Sequence, residues 1–325
     1  MSLTDPSLCP PYLTEPIHTM LDFLWTRPIP IIQPHGAPYD MAAEVLSGVL
    51  ESIEEEEEDG AKEEEVGVVD FGGAAGRGSG GPALAVERKI NQHRQSISKR
   101  PIRFVLTNST SWTTSSSSPS PPSASSSSVL YIPESVDARH ATASQAIIRG
   151  QRHLRTFFST FHQFGEDSAR RVMVDAFEGA EGMCIFELQQ SDLASLLMVA
   201  LLGPLSWLLL PFQRPTWTTL FFTYIVPIIP LLLVLDGILS VYRSRSIPHL
   251  LRLVNLASLN FHLEGGGGKE EFDWKWEYGK KRHTWPFGQM VWVVGRRDRR
   301  GDRGGEGESE SDEDLGVEEG VEDLI

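Results

Sequence analysis

Short apolar runs alternate with amphipathic stretches between residues 66 and 190. The apolar runs have the length of buried strands, and the stretches between them place apolar residues at the spacing of helices. Strand and helix alternating in this order predict a parallel sheet with covering helices. The predicted strands are VVDF, IRFVLTN, VLYIPESVDAR, LRTFFSTFHQF and MCIFEL.

The segments on either side extend this pattern. Residues 16–50 have the periodicity of amphipathic helices, interrupted by the proline-rich stretch RPIPIIQPHGAP, so residues 1–50 are predicted to form a helical N-terminal cap. Residues 243–296 predict one helix, IPHLLRLVNLASL, and two strands, FDWKWEY and QMVWVVG. These elements complete the α/β domain, whose cofactor-binding part is predicted at 66–190.

Residues 191–242 interrupt the α/β pattern with an apolar hairpin. The stretch 193–211 carries no charge over 19 residues, and the stretch 215–235 carries none over 21. Each is close to the length that crosses the hydrocarbon core of a bilayer. The hairpin is therefore predicted to be of membrane type, and two buried helices of a soluble domain are the alternative.

Two arrangements in a membrane remain open. The hairpin consists either of two spans or of a re-entrant or interfacial loop, which the helix-breaking Pro204, Pro227 and Pro230 fit at least as well. The basic residues that follow directly would place this flank on the cytosolic side: they are Arg243, Arg245 and Arg252.

Three polar segments are predicted to be disordered. They are an acidic linker at 51–65, a Ser/Pro insertion at 109–128 and an acidic tail at 297–325. The linker has ten acids against one lysine, and residues 302–325 of the tail have eleven acids against one arginine, so the net charge of −15 leaves +4 for all other residues. The body is mildly basic and has no dense basic stripe, which argues against a nucleic-acid partner.

The cysteines and the first residues bear on the compartment. Cys9 and Cys184 are too few for a disulfide framework or a multi-cysteine zinc site, and they favour a reducing intracellular compartment. The start of the chain has neither a basic region nor an apolar core, so no signal peptide is predicted there.

A glycine-rich turn follows the first strand in VVDFGGAAGRGSGGP. A triphosphate-binding loop is excluded because no Gly-Lys pair follows. A dinucleotide fingerprint exists formally at Gly76, Gly78 and Gly81, but it lies six residues beyond Asp70, and the second strand ends in Asn108 where an acid is expected. In the third interpretation Asp70 and bare backbone approach the amino-acid part of S-adenosylmethionine.

Several motifs resemble one family, the class I S-adenosylmethionine-dependent methyltransferases, and within it an uncharacterised subgroup with an apolar insertion after the fifth strand. The matching pieces are Asp70-Phe71-Gly72-Gly73 through Gly80-Gly81-Pro82, Leu106-Thr107-Asn108, Val136-Asp137-Ala138, Phe158-Ser159-Thr160-Phe161-His162-Gln163-Phe164, Pro211-Phe212-Gln213-Arg214-Pro215 and Asp236-Gly237-Ile238-Leu239-Ser240. The resemblance implies a Rossmann-like α/β sheet with S-adenosylmethionine as cofactor.

The resemblance also implies which residues bind that cofactor. They are Asp70, Gly72, Gly73, Gly76, Asn108 and Asp137, of which Asp137 would contact the adenine amino group unless it is a solvated partner of Arg139. Two positions depart from the family pattern. The glycine turn is longer, and Asn108 replaces the acid that binds the ribose hydroxyls, which removes a charge-assisted pair of hydrogen bonds.

Two further residues follow predicted strands. His162 is the candidate catalytic residue, as a base or as a hydrogen-bond donor to the substrate, and a structural histidine packed by Phe161 and Phe164 is the alternative. Glu187, at the end of the fifth strand, is predicted to cap the segment that follows, and a position facing the site is the alternative. No cluster with metal-ligand spacing is present in the sequence.

The sequence thus predicts an intracellular, membrane-associated S-adenosylmethionine-dependent methyltransferase. Its acceptor is predicted to be a lipid or another apolar small molecule. Two alternatives stay open at this point. One is a non-catalytic membrane protein with the same fold, and the other is a nicotinamide-dependent oxidoreductase that uses the offset glycine fingerprint.

Overall fold

The computed structural model describes residues 9–29, 31–58, 66–72, 81–108, 128–143, 152–213, 215–263 and 273–298. The Ser/Pro insertion and the acidic tail lie outside these residues, apart from Ser128, Arg297 and Asp298. The disorder predicted for both segments therefore stays a prediction, as does that of linker residues 59–65.

A seven-stranded sheet forms the centre of the chain. Its strands are β1 (Gly67–Phe71), β2 (Phe104–Asn108), β3 (Val129–Ser135), β4 (His153–Phe158), β5 (Gly182–Glu187), β6 (Asp273–Thr284) and β7 (Gly288–Asp298). They lie in the order β3-β2-β1-β4-β5-β7-β6. The first five strands pair in parallel, and β7 runs antiparallel to both β5 and β6. This mixed sheet is typical of class I methyltransferases, so the predicted fold class is confirmed.

Eight helices are described around this sheet. They are α1 (Pro11–Thr26), α2 (Pro38–Glu58), α3 (Gly81–Ser96), α4 (Glu166–Gly179), α5 (Leu193–Leu209), α6 (Trp217–Leu220), α7 (Ile228–Arg243) and α8 (Ile247–Leu263). Because successive strand residues face opposite sides of a sheet, Val68 packs in the core with α2 and α3, and Val69 packs in the core with α4 and α8. The domain therefore has three layers.

Helix α2 continues to Glu58 and so extends into the segment predicted as an acidic linker. Ile53 is buried in the core beside Leu50, which gives this part of the helix an apolar anchor. Glu54 pairs with Arg94 at 2.7 Å and with Lys99 at 2.9 Å. Charge composition alone predicted a solvated block here, but apolar packing and these ion pairs order its beginning.

The apolar hairpin consists of α5, the short α6 with a π-helical turn at Phe221–Ile225, and α7. Helix α5 packs against α7, and α1 covers one side of the pair with Leu13, Ile17 and Met20. One described helix, Leu193–Gln213, is long and apolar enough to cross a membrane. The second half passes only as a pair of helices bent by 74°, so it is not one straight span.

Candidate functional site

The five parallel strands end at one edge of the sheet. The pairings Asp70 with Thr156 and Phe71 with Thr107 bring the ends of β1, β2 and β4 to the same level. The strand order reverses between β1 and β4, since the chain proceeds to β2 and β3 on one side and to β5 on the other. Ligands of open α/β sheets bind outside the strand ends at such a switch point.

Asp70 lies on β1 at this switch point and is fully buried. Its backbone carbonyl accepts a hydrogen bond of 2.8 Å from the Thr107 hydroxyl, and the Thr156 hydroxyl lies 3.4 Å from Oδ1. Burying a carboxylate is costly unless hydrogen bonds and nearby charges compensate for lost hydration. An acid retained at this position is consistent with the predicted role in cofactor binding.

Gly72 carries the chain away from β1 in a left-handed conformation with φ of +95°. A Cβ added there would lie 3.0 Å from Thr160 Cγ2, so both the backbone and the space favour glycine. The Thr160 hydroxyl donates a 2.9 Å hydrogen bond to the Phe71 carbonyl. The end of β1 is thereby joined to the residues that follow β4. Gly73 and Gly76 lie outside the described residues.

The other two predicted cofactor residues lie at the same edge. Asn108 ends β2 opposite Ser135 of β3. Asp137 follows β3, and its two carboxylate oxygens accept hydrogen bonds from Arg139 Nε at 2.9 and 3.0 Å and from Nη2 at 2.6 Å. These bonds to Arg139 lower the pKa of Asp137. The Asp137 carboxylate, which is predicted to contact adenine, is thus hydrogen-bonded to Arg139. The contact with adenine stays a prediction.

His162 lies between the sheet and the hairpin, in a short turn after β4. Glu187, the last residue of β5, accepts one hydrogen bond from the His162 backbone N–H at 3.0 Å, and its other oxygen lies 2.9 Å from His162 Nδ1. On the far side of the ring, Nε2 lies 3.0 Å from the Ser240 hydroxyl of α7. The His162 side chain is 12 % exposed and the Glu187 side chain 9 %.

This geometry defines how protons are placed on the neutral imidazole. An ionised carboxylate can only accept, so Nδ1 carries the hydrogen and Nε2 is the accepting nitrogen. The Ser240 hydroxyl then donates to Nε2.

The prediction that Glu187 caps the next segment is wrong, because Asp192 caps α5 by accepting a 2.7 Å hydrogen bond from the Ser195 N–H.

Sequence reasoning missed two residues of this cluster. Ser240 appeared only as the last residue of the family-like piece Asp236–Ser240 within the apolar hairpin, and no role was predicted for it. Arg245 was assigned to a basic membrane flank, but it is half-buried, and its Nη2 donates a 2.5 Å hydrogen bond to the Phe164 carbonyl. Burial lowers the pKa of Arg245. This residue fastens the chain beyond α7 to the turn that carries His162.

A cavity of about 310 Å³ lies elsewhere, between α2 and the strands β6 and β7. Charged residues at its rim include Glu44, Lys275 and Arg296, and Trp292 forms part of its wall. None of the predicted site residues that the structure describes lines it. It therefore offers an alternative ligand position on another part of the sheet.

Comparisons with known proteins give distant structural matches. No protein-family model and no curated protein matches this chain. Loganic acid methyltransferase with SAH matches at 9 % identity and a TM-score of 0.45, over 89 % of this chain and 96 % of that one.

Two further matches are longer proteins. Mitomycin 7-O-methyltransferase MmcR matches at 17 % identity and a TM-score of 0.33, over 72 % of this chain and 49 % of its own. LepI in complex with SAM matches at 11 % identity and 0.36, over 73 % and 44 %. This chain therefore spans less than half the length of either. The fold of this chain is identified from the strand order of its sheet and not from these TM-scores.

Proposed function

We propose that this chain binds S-adenosylmethionine at the carboxyl edge of β1 and β4 and methylates an apolar acceptor at a lipid surface. One observation carries the enzymatic part of the proposal. At the switch point of the sheet, β1 carries a buried acid and is followed by a left-handed glycine, and the turn after the neighbouring strand β4 carries a histidine held by a carboxylate.

The residues at this edge suit the cofactor. Gly72 turns the chain away from β1 in a left-handed conformation, and the Asp70 carboxylate is the proposed partner of the ammonium group of the cofactor's amino-acid part. Gly73, Gly76, Asn108 and Asp137 are the further proposed contacts. When bound, S-adenosylmethionine supplies an electrophilic methyl carbon, whose bond to sulfur breaks with the electron pair left on sulfur as the acceptor atom bonds to it.

His162 is the proposed catalytic base. Its Nε2 is the accepting nitrogen, and Glu187 fixes the ring by taking hydrogen bonds from both its backbone and its Nδ1. A carboxylate in this position also stabilises the imidazolium that forms when Nε2 takes up a proton. Because proximity supplies much of the rate of such a transfer, one base is sufficient.

The oxidoreductase alternative has less support at the described edge. Asn108 stands where an acid ordinarily holds the ribose of either cofactor, so this residue does not separate the two, and the oxidoreductase depends on its glycine fingerprint. The offset fingerprint from Gly76 to Gly81 falls mostly outside the described residues. A non-catalytic protein with this fold remains the rival that cofactor binding must decide.

Calorimetric titration with S-adenosylmethionine tests the enzymatic part. We expect saturable binding that Asp70→Asn weakens at least tenfold, because the variant removes a charge and keeps the shape. Asp167→Asn, which changes an exposed acid of α4, is the matched control and is expected to bind as the unaltered protein does. Absence of binding in folded protein, or equal binding by both variants, contradicts the proposal.

The proposed lipid contact rests on the outer face of the hairpin. The residues that α5 exposes recur every three or four positions, twice as adjacent pairs, and are all apolar: Leu193, Leu197, Ala200, Leu201, Pro204, Trp207 and Leu208. The turn at its end adds Phe212, Trp217 and Ile225, which are 74, 87 and 70 % exposed. A continuous apolar surface of this kind marks an interaction site.

Side chains of the hairpin also donate hydrogen bonds to backbone carbonyls that have no helical N–H partner because a proline stands four residues later. Pro211 has no N–H to offer the Trp207 carbonyl, which accepts a 2.6 Å hydrogen bond from the Tyr224 hydroxyl instead. Pro227 likewise leaves the Thr223 carbonyl free, and the Trp207 indole N–H donates to it at 3.0 Å. Hydrocarbon offers no hydrogen bonds to backbone groups. Such internal partners therefore favour contact of the hairpin with lipid over contact with water.

We place the hairpin in one leaflet rather than across the membrane. Helix α1 packs along one side of it, and α1 carries Glu15 and Asp22, which a spanning arrangement would draw into the hydrocarbon. The 74° bend further shortens the reach of the second half. An interfacial helix pair on the cytosolic side of an intracellular membrane fits both features.

Flotation with phosphatidylcholine vesicles tests the lipid contact. We expect the protein to float with neutral vesicles and to remain bound in high salt, because the exposed face of α5 is uncharged. Recovery of folded protein at the bottom of the gradient contradicts this part and leaves the cofactor result untouched.

A further inference from the structure

The hairpin reaches the proposed base directly through Ser240. The Ser240 hydroxyl lies 3.0 Å from His162 Nε2, and Nε2 is the nitrogen that accepts. The histidine side chain is otherwise enclosed, being 12 % exposed. A protein side chain with an O–H group therefore occupies the position that a base offers to its substrate.

We propose that Ser240 holds the place of the acceptor's hydroxyl group, and that the acceptor is an alcohol or a phenol. This inference rests on the proposed methyltransferase function. It adds the chemical group that is methylated and the residue that covers His162 Nε2 before the acceptor binds. The acceptor O–H displaces the Ser240 hydroxyl at Nε2, and its proton passes to Nε2 as the oxygen becomes nucleophilic. Glu187 is a positioning residue, and Ser240 is a cover residue without a chemical role.

The chemistry of the His162 cluster favours a hydroxyl over an amine. A neutral amine is nucleophilic without a base, whereas a hydroxyl gains nucleophilicity when its proton is removed. Nε2 with Nδ1–H held by Glu187 is suited to that removal. The hydroxyl of Ser240 already makes the hydrogen bond that the acceptor would make, so the position accommodates an oxygen.

Access to the base then depends on the hairpin. Ser240 lies on α7, whose C-terminal end is fastened near His162 by Arg245 through the Phe161 and Phe164 carbonyls. Most of the apolar face of the hairpin lies on the same continuous element, on α5 and the α6 turn. A movement of α7 that frees Nε2 would thus connect the reacting position with the proposed lipid surface.

A nucleophilic serine is the rival interpretation, because serine, histidine and glutamate are aligned as in acyl-transfer enzymes. Such chemistry also needs N–H donors for an oxyanion. Ser240 lies within α7, where the helix uses the backbone N–H groups around it. We therefore assign Ser240 to the acceptor position and not to covalent catalysis.

Ser240→Ala tests the inference, with Ser244→Ala as its matched control. Ser244 lies one turn further on and donates to the Ser240 carbonyl, without a hydrogen bond to His162 among those described. The probe is 4-nonylphenol, an apolar phenol, and its affinity is measured by equilibrium dialysis. We expect Ser240→Ala to bind it about fivefold more tightly, since one ordinary hydrogen bond no longer has to be displaced.

Modification of His162 by diethyl pyrocarbonate, followed by mass spectrometry, gives a second readout that needs no cofactor. Ser240→Ala is expected to raise the rate severalfold, and nonylphenol is expected to protect His162 in both proteins. Unchanged affinity and unchanged rate, or labelling of Ser240 by a fluorophosphonate, overturn the inference. Binding of S-adenosylmethionine is measured in a separate experiment. Absence of cofactor binding would therefore count against the proposed function alone.

Discussion

Helices α4 and α5 bury one face each but expose opposite chemistry. The residues that α4 turns to the surface are charged: Glu166, Asp167, Arg171 and Glu178. Those of α5 are apolar throughout. Both helices follow the spacing that packs one face against the protein. The outer face of α4 is therefore suited to water, and the outer face of α5 is the one for which we propose a lipid contact.

The inner faces differ as well. Beneath α4, Asp175 pairs with the fully buried Arg155 at 2.6 Å and accepts a 3.1 Å hydrogen bond from the Thr142 N–H. The inner face of α5 contacts mostly apolar side chains of α7 and α1, such as Leu233 and Ile17. Stability of the α/β core thus depends partly on a buried ion pair, and the hairpin depends on apolar packing.

Removal of the carboxylate beneath α4 should have the largest effect. Asp175→Ala leaves the Arg155 charge buried without this partner, which costs about 3–5 kcal/mol in free energy of unfolding. Urea denaturation followed by tryptophan fluorescence measures the loss. A change below about 1 kcal/mol would contradict the account of this pair.

A charged substitution on the outer face of α5 should show most clearly that the outer faces of α4 and α5 differ in their contribution to lipid binding. Leu201→Asp is expected to lower the vesicle partition coefficient at least about 30-fold, because placing an aspartate in the apolar region costs roughly 2–3 kcal/mol. Flotation at several lipid concentrations measures it. Leu201 is exposed, so the fold should be retained.

The matched control alters the outer face of α4. Glu178→Lys changes an exposed charge there and is expected to leave partitioning into neutral vesicles unchanged. Equal loss in both variants would remove the distinction between the two faces.

Protonation of His283 should weaken the core and spare the lipid contact. Burial lowers the pKa of His283 to about 4 from the usual 6.5, so the ring is neutral in the folded protein. The unfolded chain takes up a proton first as the pH falls, and stability present above pH 6.5 is lost progressively towards pH 4. The loss approaches about 3 kcal/mol.

Denaturation at a series of pH values measures this effect, and His283→Gln should flatten that part of the curve. The exposed face of α5 has no ionisable side chain. Partitioning of folded protein into neutral vesicles should therefore stay constant over the range in which the core weakens.

The smallest expected effect concerns the hydrogen bond from Tyr224 to the Trp207 carbonyl. In water that carbonyl can find a solvent partner, but in hydrocarbon it cannot, so Tyr224→Phe costs about 1 kcal/mol only in the bound state. We expect a partition coefficient about fivefold lower and nearly unchanged stability in buffer. The reverse pattern would place this turn in water.

Much of the fold follows from local patterns in the sequence. Apolar runs of strand length and helices between them are sufficient for the sheet, because periodicity reports which residues face the core. Helix α2 shows the limit of this reasoning. Its glutamate run was interpreted from charge alone, whereas the helix continues to Glu58 because Ile53 is buried and Glu54 is paired.

The candidate site depends more on contacts between distant parts of the chain. Asp70 and Gly72 were predicted from the glycine-rich turn that follows the first strand and from the family resemblance, and His162 was predicted from its place after the fourth strand. The hydrogen bonds of Glu187 and Ser240 to His162 were not, since 25 and 78 residues separate these partners. Such pairing depends on how the hairpin folds back onto the strand edge, and no local pattern encodes that return.

The proposed cofactor site can be tested by cross-linking S-adenosylmethionine to the folded protein with ultraviolet light, followed by peptide mapping. We expect saturable labelling, competed by S-adenosylhomocysteine, in peptides that contain the ends of β1 and β4. No saturable labelling, or labelling confined to α2 and the strands β6 and β7 around the other cavity, would contradict it.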